Sequence, residues 1–180
     1  MSRLLNGIER PTEGTVLVDG LDTADDRAIP AIRRKVQIVF QNPEIQQVGI
    51  NVGEDIAFGL SNMGWPQGDM GSRIRWALET AGLHVEEDRL VSELSGGEKQ
   101  KLALASVLAI GPSYLILDES TSMLDPYARA QFIRSLQAAR EAQPFALIYV
   151  THHVEEVLQA DRWALFAEGR IRAIGKPDEL

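Results

Sequence analysis

Three apolar runs of the sequence each end in polar side chains that suit phosphate and metal chemistry. VQIVF is followed by Gln41, YLIL by Asp118 and Glu119, and FALIYV by a threonine and His152. If these runs are parallel strands, their carboxyl ends lie at one edge of a sheet, where ligands of open α/β sheets bind. Two adjacent carboxylates there suit one ligand for hydrated Mg²⁺ and one base for an attacking water. The pattern therefore predicts a phosphate-and-metal site at this edge.

A further polar group comes from the segment LSGGEKQ, which starts at Leu94. Ser95 is a good helix N-cap, and Gly96 and Gly97 leave the first turn bare, so an anion can approach its free N–H groups. Each of these signals has an ordinary alternative when it stands alone: a capped helix, a strand ending in solvated acids, a loop glutamine or a structural histidine pair. We expect His153, the second histidine after FALIYV, to be solvated.

Hydrophobic periodicity places these groups on an α/β framework. Apolar residues at helical spacing after Ser95 predict one helix, and Asp125 followed by Pro126 predicts the start of another. Asn51 with Glu54 predicts a capping box. FALIYV is predicted to be a buried strand. The remaining predicted elements are a short strand over 14–20, a helix over 52–60, a loop over 61–68, a helix over 72–81 and a two-stranded hairpin over 163–175.

Composition excludes several classes of protein. The 180 residues are 44% hydrophobic and 24% charged, which is typical of a globular domain. A net charge of −8 argues against a nucleic-acid binder, and the absence of cysteine excludes disulfides and thiolate metal sites. No apolar run of the sequence approaches the roughly 20 residues that span a bilayer, and no signal peptide opens it. We therefore expect a cytosolic protein that meets a membrane only through a partner.

Taken together, LSGGEKQ, YLILDE and SMLDP resemble three motifs of the ATP-binding subunits of ABC transporters: the signature motif, Walker B and the D-loop. Glu98 stands where many members of that family have glutamine. QNPE followed by a further glutamine, from Gln41 onward, is similar to the energy-coupling-factor branch, which imports vitamins and metal ions. The resemblance implies an α/β fold of the P-loop NTPase type, with a mostly parallel sheet, flanking helices and a small helical subdomain over 42–94 inserted in a single domain over 1–180.

The resemblance also assigns roles to residues. It implies ATP and Mg²⁺ as cofactors, with catalysis by Glu119, His152 and Gln41 and with Asp118 and Gln41 at the metal. Its nucleotide-binding residues are Ser95, Gly96, Gly97, Glu98 and Asp125. It further implies a second ABC ATPase subunit, integral membrane transporter subunits, no nucleic acid, and a peripheral place at the cytoplasmic face of the cell membrane.

One motif of the family does not occur in the sequence. GxxxxGK[ST], the phosphate loop that holds the β- and γ-phosphates, is found nowhere in the 180 residues. We therefore expect a fold truncated at its N-terminus, with a mis-called start as the preferred explanation, and weak or no ATP hydrolysis by the chain alone. Two alternatives stay open: a degenerate or truncated non-catalytic partner subunit, and a DNA-repair-type ATPase. The second would need long coiled coils where only 54 positions separate Gln41 from Ser95.

Overall fold

The chain contains both strands and helices in the computed structural model, which describes residues 1–158 and 160–179. The strands are β1 (Leu17–Val18), β2 (Leu21–Asp22), β3 (Val36–Phe40), β4 (Tyr114–Asp118), β5 (Ala146–Val150), β6 (Trp163–Ala167) and β7 (Arg170–Gly175). The α-helices are α1 (Ser2–Leu5), α2 (Ile29–Lys35), α3 (Val52–Asn62), α4 (Gln67–Thr80), α5 (Gly96–Ile110), α6 (Pro126–Ala142) and α7 (Val154–Val157). Short 3₁₀ helices cover Pro43–Ile45, Val91–Glu93 and Pro177–Glu179.

The central sheet consists of β3, β4 and β5, which are parallel and lie in that order. Helices α3, α4 and α5 connect β3 to β4, and α6 connects β4 to β5. In the middle strand, Leu115, Ile116 and Leu117 are all buried, because both faces of the strand are covered. The predicted parallel α/β sheet is therefore confirmed.

The prediction that FALIYV forms a buried strand is wrong for most of its length. Phe145 is buried, but Ala146 is exposed and the rest of β5 is only half-buried. The physical reason is the packing around β5. Both outer strands have β4 as their one hydrogen-bonded neighbour among the described residues, but α2 and α5 also pack on β3, whereas β5 packs mainly on β4. An apolar run alone does not show whether helices cover the strand.

Helix α5 is the centre of the larger core. Its predicted apolar positions Leu102, Ala105, Leu108 and Ala109 are all buried, and α3 and α4 pack against it. Helix α4 starts at Gln67, so the connection after α3 is shorter than the loop predicted over 61–68. No helix in the described part of the chain is both long and apolar enough to cross a bilayer.

The cap of α3 differs slightly from a capping box. The Asn51 side chain accepts from the backbone N–H of Glu54, as predicted, at 2.8 Å. The Glu54 carboxylate accepts from the backbone N–H of Ile50 at 3.2 Å instead of from that of Asn51. The first turn of α3 is capped in either geometry. Because Glu54 bonds the N–H of Ile50, the cap also fixes the segment that precedes the helix.

Arg73 joins α4 to the C-terminal end of α5. Its guanidinium donates to the carbonyls of Ala109 and Leu108, at 2.7 and 2.8 Å. It also stacks between two half-buried rings, 3.9 Å from the centroid of Trp76 and 5.4 Å from that of Trp65. Burial lowers the pKa of Arg73. A cation therefore bonds the carbonyls at the negative end of the α5 dipole.

Two hairpins flank the sheet. The predicted strand over 14–20 is instead the antiparallel pair β1 and β2, because Asp19 and Gly20 both adopt positive φ and reverse the chain. The Asp19 carboxylate accepts from Lys35 Nζ and from the Tyr114 hydroxyl, each at 2.6 Å, and the Lys35 bond lowers the pKa of Asp19. The second hairpin, β6 and β7, turns at Glu168 and Gly169, as predicted.

Candidate functional site

The carboxyl ends of β3, β4 and β5 lie side by side, as the sequence predicts. Phe40 is in register with Asp118, and Asp118 with Val150. The predicted residues that occupy this edge form the strand-end group: Gln41, Asp118, Glu119 and His152. Parallel pairing in register explains how residues far apart in sequence meet.

Glu119 is held in an unusual backbone conformation. Its φ is +51°, in the left-handed region that residues with a side chain seldom adopt. Its N–H donates to the Val150 carbonyl at 2.9 Å, which fixes the backbone beyond the end of β4. The carboxylate lies 3.9 Å from Nδ1 of His152 and is 40% exposed, so water can reach it. Strain of about 1–3 kcal/mol at such a residue is common where a side chain must be presented for chemistry.

Gln41 reaches this carboxylate segment through Ser122. The Gln41 amide donates to Ser122 Oγ at 3.0 Å, and Ser122 Oγ donates to the Glu119 carbonyl at 2.8 Å. Sequence reasoning identified the SMLD motif but did not assign a site role to Ser122. The signal was present, because a hydroxyl three residues after the second carboxylate can accept from one partner and donate to another.

The donor set at this edge fits a hydrated Mg²⁺. Asp118 provides a carboxylate, and Gln41 keeps its Oε1 free as a ligand because its Nε2 is the atom that faces Ser122. Hard oxygen donors of this kind suit Mg²⁺, which keeps several waters and takes further ligands from phosphates. No cluster of three or more His, Cys, Asp or Glu side chains arranged around a cation occurs within residues 1–158 and 160–179. Asp118 and Gln41 would therefore hold the ion together with water and nucleotide oxygens.

The two histidines differ in their surroundings. His152 is 64% exposed, and its ring centroid lies 4.3 Å from that of His153. The prediction that His153 is solvated is wrong, because the residue is half-buried and its Nε2 is inaccessible to solvent. Its position directly before α7 explains this, since the backbone N–H is turned to Thr151 Oγ1 at 3.0 Å and the ring folds inward.

The residues at the start of α5 form a second cluster, the helix-start group: Ser95, Gly96, Gly97 and Glu98. Ser95 Oγ accepts from the N–H of Glu98, and the Glu98 carboxylate accepts from the N–H and the hydroxyl of Ser95, both at 2.8 Å. A Cβ added at Gly96 would meet nothing within 4 Å. The first turn of α5 is therefore open at Gly96, and an anion contact there stays a prediction. No hydrogen bond between described residues joins this group to the strand-end group.

Asp125 has a structural role at the start of α6. Its Oδ1 accepts from the backbone N–H groups of Tyr127 and Ala128, each at 2.9 Å, and so caps α6. Pro126 occupies the first helical position, where the missing N–H costs nothing. The predicted cap is confirmed, and a nucleotide contact by Asp125 stays a prediction.

Three side chains link β3, the 43–47 segment and α5 to one another. The Gln46 amide bridges two backbone groups of β3. It accepts from the N–H of Phe40 and donates to the Ile38 carbonyl, each at 2.8 Å. The buried Gln100 of α5 donates to the Phe40 carbonyl at 3.1 Å. Lys99 pairs with Glu44 at 2.6 Å, which lowers the pKa of that carboxyl. Movement of the 43–47 segment would therefore move the first turns of α5.

Glu98 gives the helix-start group a testable pH dependence. The Ser95 N–H, and after it the Ser95 hydroxyl, lower the pKa of Glu98 in the folded chain. A lowered folded pKa means that the stabilisation is fully present at neutral pH and is lost as pH falls through that pKa. We expect the chain to be about 0.3–1 kcal/mol more stable than the Glu98→Gln variant at pH 7, and the difference to shrink as acidification protonates Glu98. Urea unfolding at stepped pH measures it, and a pH-independent difference would contradict the assignment.

Sequence and structure comparisons agree on one family. A sequence model described as "ABC transporter" matches residues 1–122. The chain is 45% identical over 174 residues to the cobalt import ATP-binding protein CbiO of Syntrophus aciditrophicus, covering 97% of the chain and 62% of that protein. It is 41% identical over 180 residues to the energy-coupling factor transporter ATP-binding protein EcfA1 of Symbiobacterium thermophilum, covering 100% of the chain and 63% of the relative.

The solved structure of cbiO1 from Clostridium perfringens, described as part of the ABC transporter complex cbiONQ, has the same fold. Its TM-score is 0.86 at 32% identity, covering 98% of the chain and 71% of the solved protein. The chain thus spans less than two thirds of the length of the two relatives above.

Proposed function

Since the chain belongs to the ABC transporter family of ATP-binding proteins, we propose that it serves in ATP binding and hydrolysis that power uptake through a membrane. The observation that carries the proposal is the strand-end edge, where a solvent-accessible Glu119 lies beside His152 and is linked to Gln41 through Ser122. This arrangement combines a base, a neighbouring imidazole and an amide around one opening, as hydrolysis of a phosphoanhydride needs.

Each residue then has a distinct part in the reaction. Glu119 accepts the proton of the water that attacks the terminal phosphate. His152, whose ring is mostly exposed, donates a hydrogen bond to the oxygens on which charge develops. Gln41 orients the water, and Asp118 with Gln41 holds Mg²⁺, which supplies charge neutralisation when bound. The catalytic contribution of the chain is therefore positioning and charge stabilisation.

The helix-start group is proposed to act on a nucleotide held by a second subunit. Its open N–H groups at Gly96 and Gly97 suit a phosphate, and it forms a cluster apart from the strand-end group. A pair of ABC subunits, with ATP between one subunit's phosphate loop and the other's α5 start, uses both clusters. We propose that the chain works in such a homo- or heterodimer.

Membrane subunits complete the proposed assembly. Around the segment that follows Gln41, Ile45, Val48 and Ile50 are 62%, 60% and 73% exposed, which is unusual for large apolar side chains. This surface is joined to α5 through the Glu44–Lys99 pair. It suits an integral membrane subunit, and it supports the proposal that the chain works at the cytoplasmic face of the membrane. The relative named for cobalt import supports a metal ion as the proposed solute class, and the resemblance of the segment from Gln41 to the energy-coupling-factor branch adds vitamins to the proposal.

ATP-dependent pairing tests the proposal. Sedimentation velocity of the chain mixed with an ABC subunit that carries a phosphate loop should show association that requires Mg-ATP. Gly96→Asp should abolish it by placing a negative charge where the phosphate approaches, without a clash, because the site is open. Gly68→Asp is the matched control, since Gly68 is also open and lies in the first turn of α4. Lack of ATP-dependent pairing by the unmodified chain would refute the proposal.

A further inference from the structure

A buried hydrogen bond joins the segment after Glu119 to the helix after His152. The Thr121 hydroxyl donates to Oε1 of Glu156 at 2.6 Å, and the two residues are 3% and 7% exposed. A carboxylate is seldom buried to this extent unless it is held by a partner, because desolvation disfavours its charged form. The hydrogen bond from Thr121 therefore offsets the cost of burying the Glu156 carboxylate.

Thr121 and Glu156 each follow a member of the strand-end group by a few residues. Thr121 is two residues beyond Glu119, and Glu156 lies in α7, four residues beyond His152. Helix α7 has only four residues, so it cannot be stable without tertiary contacts. The Thr121–Glu156 bond provides one across the edge, in addition to the bond between the Glu119 N–H and the Val150 carbonyl.

Tyr149 of β5 supports this placement of the carboxylate. Its pKa is raised to about 12, first by burial and then by the negative charge of Glu156. The charge of Glu156 thus acts on β5, while the hydrogen bond that its side chain accepts from a described residue comes from Thr121, in the segment after β4. Glu156 fastens α7 to that segment.

We propose that Glu156 is a positioning residue that, through the Thr121 hydroxyl, sets the place of the His152 imidazole relative to the Glu119 carboxylate. Its catalytic consequence rests on the proposed function, whereas its structural consequence does not. When the bond is absent, α7 loses its attachment, and the 3.9 Å approach of His152 Nδ1 to Glu119 is no longer fixed. A misplacement of about 1 Å in such a group can cost on the order of 100-fold in rate.

The first experiment follows the histidine resonances by NMR in the unmodified chain and its variants. Thr121→Val removes the hydroxyl at constant size, and Thr121→Ser restores it. We expect Thr121→Val to shift the His152 imidazole resonances, Thr121→Ser to retain them, and His84 in the turn after α4 to be unaffected in both. If Thr121→Val does not fold, Glu156→Met replaces it as the breaking variant, with Glu156→Gln as its partner that keeps an acceptor oxygen. Unchanged His152 resonances in a folded breaking variant overturn the proposal.

The second experiment measures hydrolysis in the ATP-dependent assembly. We expect Thr121→Val to lower kcat at least about tenfold with little change in KM for ATP, and Thr121→Ser to restore kcat. Glu155→Gln, at an exposed neighbouring position of α7, should leave both constants unchanged. An unmodified assembly without turnover would count against the proposed function, while the resonance shift would still support the positioning role. Full kcat in a working assembly with Thr121→Val overturns the catalytic part.

Discussion

Replacing Glu119 with glutamine is expected to lower ATP turnover by about 10²- to 10⁴-fold at the strand-end edge of an assembly in which a phosphate loop holds ATP against that edge. The substitution keeps the shape of the side chain but removes the group that accepts the proton of the attacking water. Nucleotide binding should persist, because Asp118, Gln41 and the helix-start group are unchanged. ATP-dependent pairing should also become longer-lived, since closure no longer ends in hydrolysis. Steady-state phosphate release and sedimentation velocity measure the two effects.

The control for this substitution is Glu155→Gln, which removes one carboxylate from an exposed position close in sequence to the strand-end edge. It should retain turnover, so a loss specific to Glu119→Gln cannot come from the net charge alone. Turnover that survives Glu119→Gln within about threefold would contradict the role of Glu119 as base. A loss of nucleotide binding instead of turnover would assign Glu119 to the metal and leave the base to another group.

The sequence was sufficient to predict the strand-end edge because its information is local. Each strand is a short apolar run, and each functional side chain follows its strand directly. Parallel pairing then brings these side chains to one edge of the sheet. The start of α5 was predictable for the same reason, since Ser95 and Glu98 are within one helical turn. Residues whose roles depend on local capping or strand ends are thus readable without tertiary information.

Features that depend on distant contacts were not predictable. The sequence does not indicate that the Thr121 hydroxyl meets Glu156, because 35 positions separate them and both look like surface residues. The burial of β5 was overestimated because burial depends on which other elements pack against the strand. The left-handed backbone of Glu119 is set by its bond to Val150 in another strand, and no local glycine signals it.

A second strong effect is expected from Gly49→Ala, a small substitution outside the catalytic edge. The buried Asp55 of α3 accepts from the N–H groups of Val48 and Gly49, at 2.7 and 3.0 Å, and from Ser106 Oγ of α5 at 3.1 Å. The segment after Gln41 is thereby drawn onto α3. A Cβ at Gly49 would lie 2.2 Å from the Asp55 N and 2.6 Å from its Cα, both backbone atoms that cannot rotate away.

Gly49→Ala therefore forces one of two costly rearrangements. Either α3 shifts against α5, which disturbs a tightly packed core, or the 48–49 segment moves off and leaves the Asp55 carboxylate buried with fewer donors. Each route costs on the order of 3 kcal/mol, which urea unfolding at neutral pH measures. Gly68→Ala is the matched control: its Cβ would meet nothing within 4 Å, and alanine favours a helix by up to about 1 kcal/mol over glycine. If both variants changed stability alike, close approach at Gly49 would not explain the effect. A selective loss at Gly49 would show that Asp55 holds the segment carrying the exposed Val48 and Ile50 against the helix that presents Ser95.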